Sequence, residues 1–174
     1  MARRAARVAS HCRALPTGIV RAACTENEAK LACEGLDDCT ILCGECLSQH
    51  LRERPPYARK NAADCVVIGE YATDFVTAVA ELKASPVPSG DVRHVEQQLE
   101  QSGKDLCEVL KRTGVATTRV VPYFVLVACG MDTMAVDALR MTVEYRGHKV
   151  LAALSDSPAR LVDLHPAIRR RRRL

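Results

Sequence analysis

The chain has 174 residues, enough for about one domain, and is 48% apolar but only 3% aromatic with no Trp, so any core must be built from Ala, Val, Leu and Cys. Its net charge of +4 is unevenly spread: Arg3, Arg4, Arg7, Arg13 and Arg21 lie in an acid-free stretch of 25 residues, Arg169 to Arg173 form a terminal run, and between them 15 basic residues face 21 acidic ones. An acidic body with basic ends excludes a uniformly basic binding domain, and the longest apolar run, "VVPYFVLVAC" at 120–129, is too short to span a bilayer.

Residues 1–25 read either as a mitochondrial transit segment, being Arg-rich and acid-free, or as a disordered basic arm. A first helix is expected over 26–52, with acidic residues near its start to suit the helix dipole and "RPPY" at 54–57 to stop it. A second is expected over 59–84, where the apolar residues of "KNAADCVVIGEYATDFVTAVAELKA" recur at helical spacing. "SPVPSG" at 85–90 is a linker. A third helix spans 91–112, capped by Asp91, striped by Val92, Val95, Leu99, Leu106 and Leu110, and ended by Gly114.

The last third is read in two ways. Residues 117–129 are β-branched and aromatic, and 141–154 alternate around Gly147 like a hairpin, with a short helix between at 132–140. The rival is a fourth helix across 119–142, against which Pro122 and Gly130 argue. The expected fold class is mainly α, a bundle of three or four helices with or without a small C-terminal β-hairpin. Its organisation is a basic arm or transit segment at 1–25, a single helical domain at 26–168 and an Arg tail at 169–174.

Nine cysteines without a secretory signal point to mostly free thiols in a reducing compartment, the mitochondrial matrix or the cytoplasm. On the expected first helix, Cys39, Cys43, Cys46 and His50 fall within about 60° of one another at 100° per residue. The spacing C-x3-C-x2-C-x3-H makes a one-sided row of soft ligands. Such a row is too stretched to close a zinc tetrahedron alone and suits Cu(I), which accepts two or three thiolates. The same stripe also packs as small apolar filler, since free Cys is among the most buried residue types.

The segments "CTILCGEC" and "NAADCVVIGEYATDFVTAVAEL", with "SGKDLCEVL" around Cys107, resemble the cysteine-rich four-helix-bundle copper-binding proteins of the copper-storage-like family. The resemblance implies a helical bundle and a reduced Cu(I) site drawn from Cys39, Cys43, Cys46, Cys65 and Cys107. Ala72 and Val76 stand where the family's pattern places further cysteines. The metal-site candidates are thus Cys39, Cys43, Cys46, His50, Cys65 and Cys107.

Enzymatic signatures are thin. His94, His148 and His165 fall near expected ends or turns, Asp37 and Asp38 read as early-helix charges, and Glu70 with Asp74 reads as a solvated face. The expectation is therefore a small non-enzymatic thiol-rich helical protein binding a soft metal, most of all Cu(I). The alternative is a structural or adaptor subunit, a protein partner or homo-oligomer, whose basic ends contact RNA, DNA, anionic lipid or an acidic partner. A third reading is a regulatory helical protein presenting the face at 92–110 to a partner groove.

Overall fold

The computed structural model describes residues 4–52 and 61–171. The "RPPY" stop, the start of the second expected helix and the last arginines of the tail lie outside the described residues. The fold is mixed α and β, which corrects the expected helical bundle. Helix α1 (Arg4–Cys12) is followed by short strands β1 (Val20–Arg21), β2 (Cys24–Glu26) and β3 (Ala29–Ala32), then β4 (Asp37–Cys43) and helix α2 (Gly44–Arg52). Strands β5 (Cys65–Tyr71) and β6 (Asp74–Lys83), helix α3 (Val92–Arg112) and strand β7 (Tyr123–Ala128) complete the centre. After them come β8 (Thr142–Tyr145), β9 (His148–Leu151), β10 (Ala153–Asp156), β11 (Ala159–Arg160), α4 (Leu161–Leu164) and α5 (Pro166–Arg171).

The main sheet has six strands in the order β1-β4-β5-β6-β7-β10. Pairing is antiparallel from β1 to β6 and parallel from β6 through β7 to β10. Parallel neighbours need a long crossover, and α3 supplies the one between β6 and β7. The β8–β9 hairpin lies in the connection from β7 to β10 and packs on the same face as α3. That face buries Val66, Ile68, Val79, Phe124 and Leu126 against Leu99, Leu106 and Tyr145. The opposite face buries Cys65, Val67, Ala80 and Val125 under a small three-stranded sheet, β11-β3-β2, and helices α4 and α5.

The first expected helix is helical only over its last part, as α2, and why the rest of it and the second are strands follows from this burial. β5 and β6 are covered on both faces, so residues pointing either way are buried and mostly apolar, and no period-2 alternation shows. Their β-branched runs, "CVVI" and "FVTAV", pack well on a pleated surface. The two-residue turn between them, Ala72–Thr73, puts Ala72 at φ 55° without a Gly or Asn to announce it. Residues 26–52 are cut by Asn27 (φ 50°), Gly35 (φ 92°) and Asp38 (φ 47°), conformations no right-handed helix contains.

The helix expected over 91–112 is present as α3, and the hairpin around Gly147 as β8–β9. The stretch read as a basic arm holds α1, whose Ala5, Val8 and Cys12 are buried against the main sheet. Glu70, read as solvated, is instead buried and accepts a hydrogen bond from the Ala5 amide at 3.1 Å. His165 is buried too, its ring edge-on to Tyr123 at 5.3 Å, and burial holds it below the usual imidazole range.

Candidate functional site

Four elements converge where β5 begins and β6 ends. Helix α2 starts directly after β4, and the Gly44 amide donates to the Asp64 carbonyl at 3.1 Å. A Cβ at Gly44 would overlap the Ala63 carbonyl oxygen, so only glycine lets the helix start press this close. From the other side, α3 holds the same segment. Ser102 Oγ accepts the Ala63 amide at 2.9 Å, and Gln98 Nε2 donates to the Ala62 carbonyl at 3.3 Å.

The register Cys65↔Ala80, carried one residue outward, sets Asp64 opposite Glu81. Asp64 Oδ2 accepts the Leu82 amide at 2.7 Å. Strand periodicity puts Glu81 and Lys83 on one face of β6, and their side chains pair at 2.6 Å. Glu81 is 1% exposed while Lys83 is 34% exposed, so the ammonium sits at the mouth of the site and the carboxylate at its floor. Glu81 Oε2 and Gln98 Oε1 are buried oxygens with no hydrogen-bond partner among the described residues. Lys83 also lines a cleft of ≈ 210 Å³ with Pro86, Asp91 and His94.

Like charges directly opposed across two strands are unfavourable, and burial compounds the cost. Burial, helped by the charges of Glu26 and Glu45, pushes the Asp64 carboxyl up to about 6, against the Leu82 amide and Lys83, which favour the anion. Burial and then Asp64 push Glu81 up to about 8, although Lys83 and the Asp64 amide pull it down. Burial alone would lower Lys83, but Glu81, Asp64 and Asp91 outweigh it and hold its ammonium charged. Among the described residues Lys83 therefore serves both the buried Glu81 carboxyl and the half-buried Asp64 opposite it.

The cysteine row is not the ladder expected from the sequence. Residues 37–43 are strand β4, so Cys39, Cys43, Cys46 and His50 do not share a helix face. Cys39 is exposed on β4, and its thiol hydrogen-bonds Cys33, which holds Cys39 below and Cys33 far above the usual thiol value. Cys43 is bridged to Cys46, and Cys65 to Cys24. Cys43 and Cys65 are direct partners across β4 and β5. His50 is exposed in the last turn of α2, and Cys107 on α3 lies 2.7 Å from the Tyr145 hydroxyl. The six candidates are thus dispersed, apart from Cys43, Cys46 and Cys65; the bundle falls with the helical row, and so does the one-sided ladder from which the Cu(I) expectation is drawn. Among the described residues no three His, Cys, Asp or Glu side chains form a metal-holding group.

Asp64, Glu81, Lys83 and Gln98 escaped the sequence reading for a physical reason. On a helix, Glu81 and Lys83 two apart point to different sides; on a strand they share one face. The signal "ELK" becomes legible only once the period is known to be two. No protein-family model, characterised protein or solved structure matches the chain.

Proposed function

We propose that the chain is a divalent-cation-dependent hydrolase of nucleic-acid phosphodiester bonds, with Asp64 and Glu81 holding the cation and Lys83 meeting the phosphate. The observation that carries this reading is the opposed Asp64–Glu81 pair, in which the buried Glu81 Oε2 has no hydrogen-bond partner among the described residues. An all-oxygen donor set suits a hard cation such as Mg²⁺ or Mn²⁺. Mg²⁺ is held by one or two carboxylates and completes its shell with water and substrate phosphate, so two carboxylates suffice. This reading departs from the non-enzymatic expectation drawn from the sequence.

When bound, such a cation polarises the phosphoryl oxygen and makes a coordinated water more acidic. Asp64 is fixed for this role by the Leu82 amide, which orients its carboxylate without neutralising it. Lys83, anchored to Glu81 but a third exposed, can reach a phosphate oxygen or the attacking water as a point charge. Gln98 Oε1 offers a buried acceptor on the α3 side of the same segment. The site lies at the carboxyl ends of the parallel strands β6 and β7, where open sheets receive their ligands. The arginine-rich ends supply the phosphate attraction that an acidic body lacks.

The test is incubation of plasmid DNA, single-stranded DNA and RNA with the protein in Mg²⁺ or Mn²⁺, with a chelator control. Cleavage should require the cation and should fall about 10²-fold or more in Asp64→Asn and in Lys83→Ala. Absence of cleavage of all three substrates, or equal cleavage by Asp64→Asn, would reject the assignment. Cation-independent binding without cleavage would favour the adaptor reading instead.

A further inference from the structure

We infer that Cys43–Cys46 is a thiol–disulfide exchange site that passes reducing equivalents from a small-molecule thiol to the buried Cys24–Cys65 bridge. Four observations place the parts. Cys24 and Cys65 are 1% and 0% exposed, so that bridge presents almost no surface to a dissolved thiol. Cys43 is 1% exposed, but its bridge partner Cys46 is only half-buried, the more open end of the pair. Cys43 and Cys65 stand directly opposite on β4 and β5, on the same sheet face. Cα atoms of directly opposed antiparallel residues are about 4.5–5.5 Å apart, within the range a disulfide spans.

The surroundings favour Cys43 as the leaving and then attacking sulfur. Its Sγ accepts hydrogen bonds from the Arg21 guanidinium and from the Cys46 amide, both at 3.1 Å. That amide belongs to the first turn of α2, whose N-terminal dipole also favours a thiolate. Cys65 lies instead among buried apolar neighbours.

The exchange balances as follows. A dithiol reductant attacks Cys46 Sγ, the Cys43–Cys46 bond breaks, and Cys43 leaves as thiolate. The reductant's second thiol closes on its first, leaving as a cyclic disulfide and releasing Cys46 as thiol. The Cys43 thiolate attacks Cys65 Sγ, forming Cys43–Cys65 and expelling the Cys24 thiolate. Cys46 gives its proton through solvent to the Cys24 thiolate, attacks Cys43 Sγ, restores Cys43–Cys46 and releases Cys65 as thiolate, which takes a proton from water. Two electrons have moved from the reductant to Cys24–Cys65, and the surface bridge is regenerated. The product lacks the cross-link between β2 of the small sheet and β5 of the main sheet.

The test reads disulfide connectivity and is independent of hydrolase activity. Native protein is treated with dithiothreitol, quenched with iodoacetamide at intervals, and mapped by peptide mass spectrometry. A transient Cys43–Cys65 bridge with alkylated Cys24 and Cys46 is expected. In Cys46→Ser the Cys43–Cys65 bridge should accumulate without reductant, with Cys24 free. In Cys43→Ser the native reduction of Cys24–Cys65 should slow at least tenfold. A Cys24–Cys65 bridge that persists beside free Cys43 in Cys46→Ser, or that is reduced in Cys43→Ser at the wild-type rate, would overturn the relay. The wild-type time course decides the matter if either variant fails to fold: without the Cys43–Cys65 species, the relay is refuted.

Discussion

Replacing Glu81 by Gln should make the folded protein more stable while abolishing cation binding. The carboxyl sits at about 8 in the fold against an ordinary value of 4.5. A raised acid holds its proton in the folded chain after the unfolded chain has released it. Stability therefore falls as pH climbs from about 4.5, and the loss is complete above about 8. At pH 7 the accumulated cost is about 3 kcal/mol, from about 2.5 pH units at 1.36 kcal/mol each. Gln keeps the shape and removes that cost. Lys83 gives nothing back at pH 7, because a carboxyl at about 8 is mostly protonated there and is not its ionic partner. The net expectation at pH 7 is a stabilisation of about 3 kcal/mol, together with a flatter decline of stability between pH 5 and pH 8. Urea unfolding followed by far-ultraviolet circular dichroism, in chelator and across that pH range, measures both. A variant less stable than wild type at pH 7, or a wild-type profile with the variant's slope, would refute the reasoning.

Three further outcomes follow from the same geometry. Gly44→Ala should cost about 3 kcal/mol or more, because the new methyl overlaps the Ala63 carbonyl, and it should weaken cation binding by displacing the segment that carries Asp64; thermal melts with and without Mn²⁺ read both effects. Asp105→Ala should cost about 3 kcal/mol in urea unfolding, since it strips Arg52 of a 2.7 Å partner that is itself 3% exposed. Apparent Mn²⁺ affinity should rise by up to tenfold per pH unit between about pH 6 and pH 8, because protons compete for Asp64 and Glu81 below their raised values; titration calorimetry at fixed ionic strength would detect a flat profile.

What the sequence disclosed was local. Helix α3 carries a one-sided apolar stripe and exposes its other face, so period and burial agree. It ends at Gly114 in the left-handed conformation, where glycine is favoured. The β8–β9 turn puts Arg146 and Gly147 both at positive φ, the pattern of a tight hairpin, and Gly147 marks it in the sequence. The central strands gave no such mark. Val66, Val67, Ile68, Val76, Ala78, Val79 and Ala80 are all buried, on both faces, and a continuous apolar run fits a buried helix as well as a buried strand. The turn at Ala72–Thr73 lacks the usual turn residues.

The site was hidden by the same ambiguity. Asp64 and Glu81 are 17 positions apart and meet only because β5 and β6 form a hairpin in that register. The cysteines misled in the opposite direction. Their three- and four-residue spacings imitate a helical stripe, but Asp38 in the left-handed region and the strand that follows send Cys39 and Cys46 into different elements.

Electron paramagnetic resonance of free Mn²⁺ at pH 7.5 tests the central claim most directly, since it counts bound cation without requiring a substrate. The account predicts saturable binding to wild type that is lost in Asp64→Asn and in Glu81→Gln and retained in Lys83→Ala. No binding to wild type, or undiminished binding to the two carboxylate variants, would contradict it.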